Sequence, residues 1–561
     1  RMESAALPGT ILITEATHRM IGPLFETQAL GAIEVKGKAD PVPAYRVLTV
    51  RESSGKARGI AGLDSPLVGR EEELAALTQA LADLDNGTGG IATLVGEAGI
   101  GKSRLVAELR WGAVTAPLHW AEGRCLSYGG SVAYLLWLDL LRALLGVTID
   151  DTQAEVQDVL RKRVQAWCPG HLDEVYPFLA ALMALPLGKE VEASLEELDG
   201  LQRKAGTFRA VKILVASAAR YRPLALVAED VHWGDPSSLE LLEELLALTA
   251  DLPLLIVCIS RPKREHRSWH LRQLAARDHG PRHTDLCLGP LSHAESAVLV
   301  GNLLWLDHLP SELKERILER AEGNPFYLEE VLRALIDDRA IERDEATGRW
   351  LAVREAADIA IPETLQGVLT ARIDRLQEQT KQVLRMASVI GRVFLYRVLA
   401  AVAEEEQDLD ARLFTLQQEE MIRERARLPE LEFTFKHHLT QEAAYNGLLK
   451  RDRRRLHRQV ASALERLFPE RLEELLGLLA YHWERAGVPD KATEYLLRAG
   501  YQARLVYAHE ESIDFYQRAL VFLKKRGDDE PTARALMRLG LTYDAALDLQ
   551  QARRAYEEGF V

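Results

Sequence analysis

The period of apolar positions changes several times along the chain. Compact apolar runs bounded by turn residues occur at 91–95, 118–125, 223–230 and 253–260, and each predicts a buried strand. Between and after them, leucines return every three or four residues. Leu74, Leu77, Leu81 and Leu84 share one helical face, as do Leu105, Val106 and Leu109, and later Leu369, Ile373 and Leu376. Strands alternating with helices predict an α/β core, and the long helical stretches at 131–220 and beyond 291 make the whole multidomain and mostly α. Residues 1–50 differ: the pattern predicts a strand at 9–13, a short helix at 15–21 and a terminal hairpin of 31–38 with 44–48. Residues 51–64 are small, polar and glycine-containing, which marks a linker. From 487 onward small residues alternate with aromatics, and the Gly500/Tyr516 pair returns forty positions later as Gly540/Tyr556.

One stretch carries chemistry directly. Gly96 to Ser103 fit G-x-x-x-x-G-K-[ST] in full, immediately after the 91–95 strand and before a helical run. Gly96, Gly99 and Gly101 let backbone N–H groups close around a phosphate chain, where the helix N-terminus adds a positive dipole end. Lys102 is placed to reach the β- and γ-phosphates and Ser103 to ligate Mg²⁺, with Arg104 a further contact on the same turn. The 223–230 strand ends in Glu229-Asp230, a Walker B pattern in which one carboxylate serves the metal and the next orients water. By register Glu229 takes the metal and Asp230 the water. His232 is open between a nucleotide contact and a packed core histidine, and Asp235 suits a helix N-cap. The expected ligands are ATP or ADP with Mg²⁺.

Around this centre the chain resembles AAA-like ATPases of the STAND (signal-transduction ATPase) class. Val68-Gly69-Arg70-Glu71, some thirty residues before the P-loop, resembles their leading segment, whose backbone packs on adenine. The class more often begins its acidic pair with Asp, so the roles of Glu229 and Asp230 stay open. Arg261, at the exit of the 253–260 strand, matches a sensor arginine for the γ-phosphate; a strand-end arginine in solvent is the plainer alternative. Gly323-Asn324-Pro325 resembles the element whose proline ring lies on adenine, and Pro325 equally suits a helix start. His437, in Phe433-Thr434-Phe435-Lys436-His437-His438, resembles a histidine that contacts the β-phosphate of ADP in the resting state; a hairpin-end histidine would look the same. The resemblance implies an ATPase core at 65–290, a helical lid at 291–358, a winged-helix-like domain at 359–450, a helical connector at 451–486 and truncated TPR-like repeats at 487–561. TPR-like repeats imply a peptide or protein partner.

Residues 1–50 resemble the C-terminal end of class III adenylate/guanylate cyclase domains, through Arg1-Met2-Glu3-Ser4, Pro8-Gly9-Thr10-Ile11-Leu12-Ile13 and Val35-Lys36-Gly37-Lys38. The resemblance puts Arg1 at a transition-state arginine and Lys36 at a triphosphate contact. The metal-binding aspartates of such cyclases lie upstream of this stretch, so the chain is expected to be a fragment that does not itself cyclise nucleotide.

Composition narrows the setting. Seventy Lys and Arg against 84 Asp and Glu give a net charge of −14, which argues against direct nucleic-acid binding even though 451–458 is basic. Four cysteines without C-x-x-C spacing suggest neither zinc nor a disulfide framework. With no long apolar run and no signal-peptide pattern, the expectation is a cytoplasmic protein away from membranes, with homo-oligomerisation open. The expected function is an ATP-binding switch, a slow P-loop ATPase, regulating a signalling cyclase. A STAND transcription regulator and a non-hydrolysing scaffold are the alternatives.

Overall fold

A computed structural model describes residues 10–14, 25–33, 42–50, 65–113, 118–126, 132–148, 151–304, 310–343, 350–353, 359, 361–403, 408–426 and 430–560. The chain divides into two compact units, Arg1–Pro66 and Leu67–Val561. In the first, β1 (Ile11–Thr14), β2 (Phe25–Ile33) and β3 (Val42–Val50) form an antiparallel sheet in the order β1-β3-β2. The hairpin strand therefore begins earlier than the sequence pattern predicts. Its pairing with β3 shifts register at Glu26/Thr27 and at Ala29/Gly31, and such bulges blur the alternation on which the prediction relied. The predicted helix at 15–21, Arg1 and Lys36 lie outside the described residues.

The second unit is built on a five-stranded parallel sheet. Its strands are β4 (Gly90–Gly96), β5 (His119–Arg124), β6 (Leu224–Glu229), β7 (Leu254–Ser260) and β8 (His283–Leu288), in the order β5-β6-β7-β4-β8. Every residue of β4, β6 and β7 is buried, as expected of inner strands covered by helices on both faces. The chain leaves β4 for the far edge, returns through β6 and β7, and then passes to the other side of β4. Two neighbours of β4 thus connect in opposite senses, and the crevice this opens at the carboxyl ends of parallel strands is where such sheets bind ligands.

Helix α1 (Glu71–Ala82) precedes β4 and α2 (Lys102–Gly112) follows it. Between β5 and β6 the predicted helical region is a group of five helices ending in α3 (Gly200–Tyr221), which opens with an Asp199/Gln202 capping box. After β6 a single 3-10 turn leads into α4 (Pro236–Leu245), with Asp235 as N-cap and Pro236 in its first turn.

Beyond the sheet, the lid region contains α5 (Pro325–Asp337) and a small hairpin of β9 (Ile341–Arg343) with β10 (Trp350–Ala352). The next module combines helices 365–375, 378–390, 396–402 and 409–418 with a sheet of β11 (Val393–Leu395), β12 (Ile422–Ala426) and β13 (Glu432–Phe435), in the order β11-β13-β12. It ends in α6 (His438–Asn446). Helices then follow one another to 560, among them α7 (Pro489–Leu505) and α8 (His509–Arg526). Here the small-aromatic repeat becomes a contact. A Cβ on Gly500 would fall 3.1 Å from the Tyr516 ring, and one on Gly540 would fall 2.5 Å from Tyr556. Among the described residues no helix is long and apolar enough to cross a membrane.

Candidate functional site

The carboxyl ends of the parallel strands collect the chemistry. Gly96 closes β4, and a side chain there would strike Ile100 at 2.8 Å and the Leu288 carbonyl at 2.9 Å. Gly99 and Gly101 take φ of 81° and 103°, a region that disfavours L side chains, and together they turn the backbone into α2. Lys102 is 9% exposed, and its Nζ donates to the carbonyls of Gly96 at 2.6 Å and Glu97 at 2.8 Å. Burial lowers its pKa to about 8; Asp230 is the strongest opposing influence, ahead of Glu229. Ser103 stands beside it on the first turn of α2.

The two acids at the end of β6 diverge. Glu229 turns toward β5, where its carboxylate accepts two hydrogen bonds from the Arg124 guanidinium, one of 2.7 Å from Nε. Asp230 takes the left-handed region at φ 57° and accepts a hydrogen bond of 2.9 Å from Nη1 of Arg392, the residue before β11. Asp230 weighs more than Glu229 in raising the Lys102 pKa, and Glu229 is hydrogen-bonded to Arg124 of the neighbouring strand.

Arg261 sits at the exit of β7, the strand between β6 and β4. Its guanidinium donates to His438 Nε2 and lies 5.2 Å from the Trp233 ring centre. Burial, with Arg261 and Arg392 nearby, pushes His438 down to about 2, so the imidazole is neutral and accepts. His232 is buried, accepts the Arg261 backbone N–H at 3.4 Å and is pushed down to about 3, mainly by burial. Asp230, Arg392, Arg124 and His438 border a cavity of about 140 Å³.

The lid closes over the P-loop through Asn324, which the sequence reading passed over in favour of its neighbour Pro325. Asn324 caps α5 by accepting from the Phe326 and Tyr327 N–H groups at 3.1 and 3.2 Å, and it donates to the Ala98 carbonyl at 3.1 Å. Pro325 occupies the first turn of α5. His437 stacks on Phe326 with ring centres 3.9 Å apart, and its Nδ1 caps α6 by accepting the Leu439 N–H.

The remaining expected contact residues have partners within the core. Arg70 is 8% exposed, and its guanidinium holds the Gly289 carbonyl at the end of β8 and Glu73 at 3.4 Å. Gly69, at φ 64°, donates to Glu71 Oε1, with Val68 half-buried beside it. Arg104 pairs with Glu108 one turn along α2 at 3.1 Å. Arg392, Arg124 and His438 were not singled out as site residues. Arg392 carries no local signal, since its partner is 162 positions away. His438 adjoins the chosen His437, and Arg124 is the polar end of an apolar strand.

Residues 66–257 match a family model described as an AAA ATPase domain, and residues 292–349 match one described as a domain of unknown function. An uncharacterized protein of Rhizobium meliloti is 27% identical over 574 residues, which cover 100% of this chain and 53% of the relative. The chain thus spans about half the length of that curated relative. A STAND protein with a tetratricopeptide repeat sensor from Pyrococcus horikoshii superposes with a TM-score of 0.38 at 12% identity, covering 91% of this chain and 78% of its own. Cdc6p from Pyrobaculum aerophilum does so with a TM-score of 0.31 at 14% identity, covering 69% and 96%. With its P-loop and acidic strand end gathered at the carboxyl ends of the inner strands of a parallel sheet, the matched segment is an AAA-type P-loop ATPase domain.

Proposed function

We propose that residues 67–561 form a nucleotide-controlled switch, a slow ATPase held at rest by its own C-terminal module. One observation carries this reading: Arg392 occupies Asp230 while His438 occupies Arg261. Both occupying residues come from the module that follows the lid. The P-loop suits a nucleoside triphosphate, because Gly99 and Gly101 hold the positive-φ backbone of such a loop and Lys102 is a buried cation with carbonyl partners it can exchange for phosphate oxygens. Mg²⁺, when bound, neutralises phosphate charge, and Ser103 with Asp230 are the residues that would hold it. Lys102 binds the phosphates, Asp230 orients water once it leaves Arg392, and Arg261 stabilises developing charge once it leaves His438. Asn324 and Phe326 seal the P-loop from the lid side. Nucleotide controls such a switch only if ADP and ATP favour the held and released forms unequally.

Two extensions rest on residue resemblance. The helices of 489–560 would take a peptide or protein partner, as TPR-like hairpins do, and residues 1–50 would link the switch to a nucleotide cyclase in a longer signalling protein. A helix-turn-helix in the preceding sequence would instead direct the output to transcription.

The test is nucleotide content of the purified chain and phosphate release, wild type against Lys102→Ala. ADP retained by wild type alone, with Lys102-dependent release, supports the switch. Equal weak ATP binding by both proteins would sink it. Nucleotide retention with release unchanged in Asp230→Asn would leave a non-hydrolysing scaffold.

A further inference from the structure

The helix that follows the acidic strand end receives a side chain from the far end of the chain. Glu511, on α8, is 2% exposed; its Oε1 accepts the Ser237 N–H at 2.9 Å and its Oε2 accepts the Ser237 hydroxyl at 3.0 Å, across 274 positions. Asp235, 1% exposed, already caps the same helix, accepting from Ser238 N–H at 2.8 Å and from Tyr134 N–H at 2.9 Å. The corner before α8 is fixed beside it. A Cβ on Gly200 would fall 2.0 Å from the Tyr507 ring, and Glu510 lies 3.8 Å from Arg267, which also approaches Glu243.

The link from this cap to Asp230 is short and stiff. The Trp233 N–H donates to the Asp230 carbonyl at 2.9 Å and the Gly234 N–H to Val231 at 3.0 Å, and both Val231 and His232 are buried. A displacement of α4 therefore reaches Asp230 without a flexible joint between them.

We infer that Glu511 is a positioning residue for Asp230, through which the C-terminal helices sense or set the state of the ATPase site. The inference rests on the switch reading above and names its line of regulation. A partner that pulls α7 and α8 away would draw Glu511 off Ser237, loosen α4 and shift Asp230 relative to Arg392.

The chemistry of the cap gives the contact a pH signature. Two buried carboxyls at one helix N-terminus resist joint ionisation, even though the dipole favours one negative charge there. Burial and Asp235 push Glu511 up to about 8, and burial raises Asp235 as well. The facing groups are Ser237 and Asp235 of α4, Tyr134 ahead of helix 135–145, the Lys204–Glu240 pair of α3 and α4, and Arg267. His509, on the same helix as Glu511, is pushed down to about 4 and is neutral over the range in question. Because the docked state binds the proton more tightly than the released one, docking is fully favoured below the ordinary carboxyl range, weakens progressively as pH rises above it, and has lost this contribution by about 8.

The experiment uses the full chain as wild type, Glu511→Gln and Glu511→Ala, with amide hydrogen exchange at 231–239 and 512–520 and with phosphate release. Glu511→Ala should speed exchange at Ser237 and Ser238 at least tenfold and raise phosphate release at least threefold. Glu511→Gln, which imitates the protonated carboxyl, should protect 231–239 at least as well as wild type at pH 7 and, once exchange is corrected for its base-catalysed intrinsic rate, lose the wild-type fall in protection between pH 5 and 8. Faster exchange confined to 512–520 in Glu511→Ala, with 231–239 and phosphate release unmoved, would overturn the inference and leave Glu511 a packing residue. A Glu511→Gln chain as loose as Glu511→Ala at pH 7 would overturn it too. The exchange measurements need no turnover, so a wild type without Lys102-dependent phosphate release would count against the switch alone.

Discussion

Arg392 Nη1 lies 2.9 Å from Asp230 Oδ2, joining the first strand of the C-terminal module to the acid that acts most strongly on the P-loop lysine. The two side chains are 16% and 19% exposed, so water screens the pair only in part. Replacing Arg392 with Ala should free Asp230 and raise basal phosphate release at least threefold. The double variant with Asp230→Asn should be as inactive as Asp230→Asn alone. A phosphate-release assay on the four proteins checks both statements, and an Arg392→Ala rate at or below wild type would contradict the resting contact.

Lys102 gives a pH dependence of binding. Its pKa of about 8 means that the ammonium predominates at pH 7, is about half lost at pH 8 and is largely lost by pH 9. Affinity for ATP should therefore fall between pH 8 and 9.5, and Lys102→Arg should flatten that fall, because a guanidinium keeps its charge. Calorimetric titration across this range measures it.

The buried histidines give a pH dependence of stability. His232, His438 and His457 are pushed down to about 3, about 2 and about 3. Each folded-state value is below the ordinary one near 6.5, so the unfolded chain takes up more protons as the pH drops. Their stabilising contribution is present above pH 6.5 and is lost below it. Scanning calorimetry should show Tm falling by several degrees from pH 7 to pH 5, with a shallower slope in His457→Phe.

Asn324 ties the lid to the P-loop. Asn324→Ala removes an N-cap, at a cost of about 1 kcal/mol, together with the hydrogen bond to Ala98. Tm should drop modestly while ADP dissociates several-fold faster. Gly99→Ala should behave alike but more severely, because its Cβ would meet Asn324 Oδ1 at 2.8 Å with φ at 81°. Stopped-flow release of a fluorescent ADP analogue reads both. An unchanged release rate would show that the lid contact does not retain nucleotide.

The strands and the phosphate loop were legible because they are local. Apolar runs with glycine punctuation mark β4, β6 and β7, and Gly96 to Ser103 specify a turn whose backbone can be built in few ways. The repeat of Gly500/Tyr516 and Gly540/Tyr556 was legible for the same reason, since a glycine is needed wherever a ring lies on a helix backbone. The hairpin strand β2 was misjudged at its start because bulges break its alternation. The motifs mark Arg70 and Arg104 as neighbours of the loop but say nothing of their partners, which the fold supplies as Gly289 and Glu108.

The sequence by itself determined which segment forms the P-loop and which strand ends in acids, since both depend on residue order over fewer than a dozen positions. Only the tertiary structure decided what those acids and the arginine touch. Glu229 belongs to Arg124, Asp230 to Arg392 and Arg261 to His438, pairings that span from 105 to 177 positions. A charged side chain is committed by whichever opposite or complementary group the fold brings within about 3 Å, and chain separation carries no record of that choice. The same holds for Glu511, an ordinary acid on a helical surface by sequence, which packing places under the cap of the helix after the catalytic strand.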